Sequence, residues 1–395
     1  MTALAGVRRR RTALMLTANL LALVALAGMG YAGVTALRNY EGATRVTTTT
    51  QKLPVTPAAM LGTVDDDDEL TSITVFVLAA GRQGGGNIVS LPASVDATPG
   101  LGPTRTPLSL VYATGGAEAL TNAVESVLSM TIDFGAVLAP AEVEAVLAPV
   151  SPVKLTLPAD VLDGNDEVPL FTAGENSLSA AQVTDVLTAV ADDQADVERS
   201  ANIDAVWMGV AESVGAGRTA PDLTLAPSDV ASLIAQVFAA PTGARALPAA
   251  PTDASENPEG LDVVTLDRAE AVFTLASIAP ASMTTPSPGL VFRIEAPPGY
   301  EARVRVAVAA VLFLGGNVKS VYLDAPVNPE TRLYLSDASL ADQAESNNAY
   351  FGATQTLTAE VPIEGIDVVL QLGTEFLDAE GTALPSTTTT TTEPE

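Results

Sequence analysis

The sequence predicts a membrane-anchored α/β protein, in which a mixed-sheet α/β sandwich is followed by a small α/β C-terminal domain. Three observations predict it. An apolar run, Thr12 to Leu37, sits directly behind the arginines Arg8 to Arg11. Between residues 70 and 279, short runs rich in Ile, Val and Phe alternate with segments whose apolar residues recur at helical spacing. After a Pro-rich linker at residues 280–289 the alternation restarts and continues to residue 378.

The apolar run is 26 residues long, and its polar members Thr12, Thr17, Asn19 and Thr35 are all uncharged. That length spans a hydrocarbon core with some tilt. Four arginines before it predict a cytoplasmic N-terminus over residues 1–11, a single pass at the cell membrane and extracytoplasmic domains. A cleaved signal peptide is the rival reading. The run exceeds the apolar core of a signal peptide and Arg38 follows at once, which favours a retained anchor. Residues 38–69 read as a Thr- and Asp-rich stalk, with Thr47 to Thr50, Pro54, Pro57 and Asp65 to Asp68. Four aspartates can attract Ca²⁺, but a charge run beside a linker, without a glycine-turned ligand loop, reads as solvated. Residues 379–395 form a second Thr-rich stretch.

Composition removes whole classes of chemistry. The 395 residues include no Cys and no His, so neither a Ser-His-Asp or Cys-His nucleophile nor a thiolate or imidazole zinc site is possible. Any metal would be a hard cation on oxygen ligands. The net charge is −28, with 47 acidic and 19 basic residues. All the acidic residues follow the anchor and four basic ones precede it, leaving 15 basic against 47 acidic beyond it, a formal −32. Such a surface repels nucleic acid and anionic head groups. Its bland reading is solubility.

Ser72 to Ser94 reads as a β-hairpin. Two Ile/Val/Phe runs flank Gly81 and Gly84 to Gly86, and the second ends at Pro92. Leu108 to Tyr112 is a short apolar segment, and Gly115-Gly116 leads into a helix over Glu118 to Met130 with Leu120, Val124, Val127 and Leu128 at helical spacing. Pro140 to Leu147 reads as a helix with proline in its first turn. Val153 to Leu157 alternates as a strand, while Leu178 to Val190, Ala195 to Val214 and Pro227 to Phe238 read as helices. Pro241 to Gly260 reads as a loop before the apolar segment Leu261 to Ile278. Ser151-Pro152-Val153-Lys154 matches a Ser-x-x-Lys pattern, but it enters a strand and lacks the partner motifs of that chemistry.

Several strings carry a family resemblance: Ser90-Leu91-Pro92, Tyr112-Ala113-Thr114-Gly115-Gly116, Ala123-Val124-Glu125-Ser126-Val127-Leu128 and Ile132-Asp133-Phe134. With the order of elements from Leu70 to Ser213, they resemble the LytR-CpsA-Psr family. The resemblance implies an extracytoplasmic, membrane-anchored protein of Gram-positive envelopes. Members move glycopolymers from a polyprenyl-pyrophosphate carrier onto peptidoglycan.

The positions matching the family's charged motifs are uncharged here. Its Ser-Ile-Pro-Arg-Asp string corresponds to Ser90-Leu91-Pro92-Ala93-Ser94. An aspartate expected to help hold Mg²⁺ falls near Ser72, a Lys-Ile-Asn string on Pro107-Leu108-Ser109, and an Arg-x-Arg pair near Thr188 and Val190. Only Arg199 answers to the basic cluster that follows, and its bland reading is a surface partner of Glu198 or Asp196. A pyrophosphate needs several guanidinium forks and a divalent ion to offset its charge.

The predicted function is therefore a pseudoenzyme of the cell wall: a degenerate, non-catalytic fold that binds wall glycopolymer, polyprenyl-phosphate lipid or envelope proteins, without cofactor and without nucleic acid. The alternative is an active phosphotransferase that uses Mg²⁺ and shifted residues, with Arg82, Arg105 and Arg199 as ligand-binding candidates. Residues 290–378 give the order β-α-β-β-α-β and end on Leu372-Gly373-Thr374-Glu375-Phe376, which resembles the LytR C-terminal domain. That domain shows no catalytic constellation.

Overall fold

The computed structural model divides the chain into residues 1–49 and residues 50–395. It describes residues 49–379 except 82–83, 99–103, 165–167, 193, 215–225 and 346–347, together with Met29. Apart from Met29, the expected anchor Thr12 to Leu37 lies outside the described residues, as does the tail from residue 380. No helix of the described residues is long and apolar enough to cross a membrane.

A five-stranded mixed sheet organises the first part of the second unit. Its strands are β1 (Ala58–Val64), β2 (Leu70–Leu78), β3 (Gly86–Leu91), β4 (Phe134–Leu138) and, further along the chain, Thr242–Ala246, in the order β4-β1-β2-β3 with Thr242–Ala246 at the far edge. The β1–β2 and β2–β3 pairs are antiparallel; the two outer pairs are parallel. Every residue of β1 and β2 is buried. That explains why the stretch from Ile73 to Leu78, with Thr74 its one polar member, does not alternate between apolar and polar residues: a strand covered on both faces has no solvent side to encode. Ala58, Met60, Ile73, Val75 and Val77 face one core, whereas Ala59, Leu61, Phe76 and Leu78 face another.

The β2–β3 pairing runs from Ile73–Leu91 to Leu78–Gly86, the hairpin that the sequence predicts. Gly86 has φ +153°, and a Cβ there would lie 2.0 Å from the Val77 carbonyl oxygen, so the connection admits only glycine. The stalk expectation over residues 38–69 is corrected at its C-terminal end. Residues 58–64 form a strand inside the sheet, and Asp65 to Glu69 make its tight turn into β2. The Asp65 carboxylate accepts from the backbone N–H of Asp67 and Glu69, at 3.0 and 2.9 Å, while Asp68 takes φ 64°. Aspartate suits both tasks.

Helix α1 (Leu108–Leu128) unites the two segments predicted around Gly115-Gly116. Gly116, at φ 71° and ψ −166°, breaks its helical geometry in the middle. Against the second core lie α2 (Pro140–Leu147), the hairpin of β5 (Val153–Leu157) and β6 (Gly174–Leu178), α3 (Ala180–Thr188), α4 (Asp196–Ser213) and α5 (Val230–Val237). Ser179 and Gln182 cap α3 reciprocally, and Asp229 caps α5. The expected loop from Pro241 instead carries β7 (Thr242–Ala246) and β8 (Ala249–Pro251), which pairs with β9 (Val264–Leu266).

Helix α6 (Arg268–Ile278) follows, and residues 280–289 are tied back onto the first part. Ser282 accepts from Thr131 N–H and donates its hydroxyl to the Thr56 carbonyl. A second mixed sheet then contains β10 (Val291–Glu295), β11 (Asn317–Tyr322), β12 (Thr331–Leu335), β13 (Ala353–Thr358) and β14 (Val368–Gln371), in the order β11-β10-β14-β12-β13. Strand β13 was not expected from the sequence. Helix α7 (Glu301–Phe313) covers one face. Arg305 of α7 pairs with Glu270 and lies over the Phe273 ring of α6 at 4.3 Å, so the second sheet shares its core with the first. Gln51 pairs with Ile363, bringing the start of this unit onto the second sheet's periphery.

Candidate functional site

Six segments meet at one cavity of about 390 Å³: the β1–β2 turn, the end of β3, the start of α1, the end of α3, the start of α4 and the stretch before β9 that carries Asp262. They are stitched by backbone bonds. The N–H groups of Leu108 and Ser109 donate to the carbonyls of Val95 and Ala93, each at 2.9 Å. The cavity gathers the positions to which the resemblance assigned chemistry: Ala93, Ser94, Ser109, Val190 and Arg199 all line it. Thr188 and Ser72 do not. Thr188 gives its hydroxyl to the Thr184 carbonyl within α3, and Ser72 is buried with an unpartnered hydroxyl.

The charge of this cavity is opposite to what a phosphate needs. Asp65, Asp68, Glu69, Asp196 and Asp262 line it against one guanidinium, Arg199. That guanidinium is 6% exposed and is turned into the fold. Its Nε donates to Ala189 O at 3.0 Å, Nη2 to Leu187 O at 3.1 Å, and Nη1 to Thr71 O at 2.7 Å and Asp196 Oδ1 at 2.9 Å. Four of its five N–H donors are thereby engaged. Arg199 is a C-terminal cap for α3, satisfying carbonyls that the last turn leaves open and meeting the negative end of its dipole. It is not the surface partner that the bland reading supposes.

Asp196 completes the arrangement. Its Oδ2 accepts from Ser94 N–H at 2.8 Å, and its own N–H donates to Asp262 Oδ2 at 2.9 Å. One buried ion pair thus holds the end of β3, the start of β2 and the end of α3 in place. The sequence analysis missed Asp196, Asp68, Tyr112 and Asp262 as cavity residues. The signal available was the Asp196–Arg199 spacing of three, which puts both side chains on one helix face. Tyr112 donates its hydroxyl to Asp68 Oδ1 at 2.9 Å. Burial and then that carboxylate push the phenol above its ordinary value, so it stays a proton donor.

The other candidates lie elsewhere. Arg105 does not line the cavity: it pairs with buried Asp96 at 3.1 Å and Glu256 at 3.0 Å and bonds the Glu256 carbonyl at 2.8 Å. Arg82 lies outside the described residues. Among the described residues no cluster of three or more Asp or Glu side chains is arranged to hold a metal ion.

A second cavity of about 210 Å³ opens behind the Ser90-Leu91-Pro92 string and is lined by Asp204, Ser90 and Ser200 among others. The Ser90 hydroxyl donates to Asp204 Oδ1. Burial raises the Asp204 carboxyl above the ordinary aspartate value, outweighing the Ser90 bond. Its neutral form is therefore the one the fold prefers. That contribution is complete below about pH 3.9 and is lost as pH rises through the elevated folded value. Asp204→Asn keeps an acceptor for Ser90 and removes the charge, so thermal melting should find it more stable than the parent at neutral pH. The two should converge below about pH 3.9.

No protein-family model and no curated protein matches the sequence. Solved structures align over a little more than half of the chain. TagT of B. subtilis is similar at 16% identity and TM-score 0.37, covering 55% of this chain and 86% of that one. A LytR-Csp2A-Psr enzyme from Actinomyces oris is similar at 13% identity and TM-score 0.38, covering 57% and 94%. A TagT structure with bound octaprenyl pyrophosphate lipid gives 15% identity, TM-score 0.37 and coverage of 55% and 86%. Likenesses at this level carry no conclusion about activity.

Proposed function

We propose that the chain is a non-catalytic cell-envelope protein on a LytR-CpsA-Psr-like scaffold, anchored through Thr12 to Leu37 with its sheets outside the membrane, and that it binds wall glycopolymer or envelope proteins. The observation that carries the reading is the use of Arg199. At the cavity where the resemblance places the pyrophosphate site, the one guanidinium that lines it among the described residues is spent on carbonyls and Asp196, and four further carboxylates face the same space. Two like unit charges about 8 Å apart cost about 2 kcal/mol at an effective dielectric of about 20. A multiply charged pyrophosphate meets that repulsion several times over. The transition state of phosphoryl transfer adds charge where this cavity offers no donor fork to receive it.

Turnover tests the reading. The full chain in detergent, given Mg²⁺ and a polyprenyl-pyrophosphate analogue, should release and transfer nothing beside an active family member assayed in parallel. Mg²⁺-dependent transfer at a comparable rate would overturn the proposal and favour the phosphotransferase alternative, with Arg82 as the first residue to substitute.

A further inference from the structure

The 210 Å³ cavity behind Ser90-Leu91-Pro92 forms where two paired strands part. The β3–β7 register ends with Ser90 opposite Ala246, and the Leu247 N–H still donates to the Ser90 carbonyl at 3.3 Å. Just beyond, each segment reaches a proline, Pro92 and Pro248, which has no N–H to continue the ladder. Helix α4 lies across the gap and presents Ser200, Ile203 and Asp204 to it. Leu91, Ile203 and Leu247, each 4% exposed, make the walls apolar.

Polar atoms on this lining are few. Ser90 gives its hydroxyl to Asp204 Oδ1, and Ser200 gives its own to the Val197 carbonyl at 2.7 Å. Asp204 Oδ2 has no partner among the described residues, and Ser200 Oγ keeps its lone pairs one helical turn away. No other titratable side chain lines the cavity among the described residues, and burial without a basic neighbour favours the neutral carboxyl. A neutral carboxyl sets one O–H donor beside one acceptor in a single plane. The complement of that pair is an amide, whose oxygen takes the O–H while an N–H returns to the carboxyl. A carboxylate lacks the donor, and an ammonium or amidinium lacks the acceptor.

We propose that this cavity binds a small molecule carrying a primary carboxamide on an apolar body. The Asp204 carboxyl gives its O–H to the amide oxygen and takes one N–H on Oδ1, which accepts from Ser90 as well. Ser200 Oγ takes the second N–H, and Leu91, Ile203 and Leu247 pack on the body. At about 30 Å³ per water, the space equals about seven waters, enough for one small ring. The cavity shares no lining residue with the one between α1 and α4, so the site stands whether or not that cavity turns over pyrophosphate.

Benzamide is the probe, with benzamidine as its cationic isostere and toluene as the apolar body alone. Each is titrated into the full chain in detergent at about pH 5, not far above the ordinary aspartate value. The readout is the NMR shift of the Leu91, Ile203 and Leu247 methyl groups. Benzamide should saturate at about millimolar concentration and bind at least about tenfold more tightly than either control. Asp204→Leu should weaken benzamide about tenfold or more without lowering the melting temperature. Absence of saturable binding, or affinity untouched by Asp204→Leu, overturns the proposal. Benzamidine binding as tightly as benzamide also overturns it, because the site would then be an ionised carboxylate selecting cations. Toluene binding as tightly overturns it too, because the cavity would then be an apolar void only. Should Asp204→Leu fail to fold, the unaltered chain decides: benzamide shifts confined to those three residues' methyl groups, with benzamide the tightest of the three probes, support the site, and shifts elsewhere or none overturn it.

Discussion

Arg199→Ala is expected to destabilise the fold by about 3–5 kcal/mol, read as a lower urea midpoint at an unchanged denaturant slope. The substitution strands a buried Asp196 and opens the carbonyls of Thr71, Leu187 and Ala189. Removing one partner of a buried pair costs far more than the pair itself contributes, because the remaining charge is left without compensation. Arg199→Lys should recover little, since a single ammonium cannot span acceptors on three separate segments as the guanidinium fork does. A guanidinium serving a ligand predicts the reverse. Stability would then change by no more than about 0.5 kcal/mol while phosphate affinity collapsed.

Trp207→Ala should cost a comparable amount, about 3–5 kcal/mol. Trp207 is 1% exposed and stands edge-on to Phe76, with centroids 5.4 Å apart and planes at 87°. Phe76 in turn meets Phe238 at 6.0 Å and 75°. The indole thus joins α4 to β2 and, through β2, to α5. Its Nε1–H is buried without a partner, so shape and dispersion rather than hydrogen bonding hold it. Trp207→Phe should therefore cost no more than about 1.5 kcal/mol in the same unfolding measurement. A large loss with phenylalanine would show that the indole N–H is bonded after all.

The elements that were legible in the sequence are those whose own residues determine them. Ile73 to Leu78 reads as a strand and Gly84 to Gly86 mark its return, whereas its burial on both faces depends on helices distant in sequence. Leu120, Val124 and Leu128 set the inward stripe of α1. The second sheet's first strands and helix were equally plain, because Val, Ile and Ala patterns end there on Gly315-Gly316. Strand β1 was not legible. Ala58-Ala59-Met60-Leu61-Gly62-Thr63-Val64 has weak strand preference and sits between Pro57 and an aspartate run, so only pairing with β2 and β4 makes it a strand. Polar β6, Gly174-Glu175-Asn176-Ser177-Leu178, is extended for the same tertiary reason, through β5.

The candidate site divides in the same way. That Ala93 and Val190 carry no charge is read directly from the sequence, and the structure brings both to one cavity. That Arg199 is buried is not readable, because its acceptors Thr71 and Leu187 are distant in sequence and because the polar first turn of α4 resembles a solvated end. The acidic lining is equally non-local. Asp65 and Asp68 reach the cavity only because β1 forms and turns their run against α1.

Equilibrium binding of a short-chain prenyl pyrophosphate to the full-length chain, by titration calorimetry with Mg²⁺ present, tests the central claim most directly. A cavity whose only lining guanidinium among the described residues caps a helix, and whose other described charges are carboxylates, should give no saturable heat at millimolar ligand. Saturable micromolar binding, displaced by inorganic pyrophosphate and lost on chelating Mg²⁺, would contradict it.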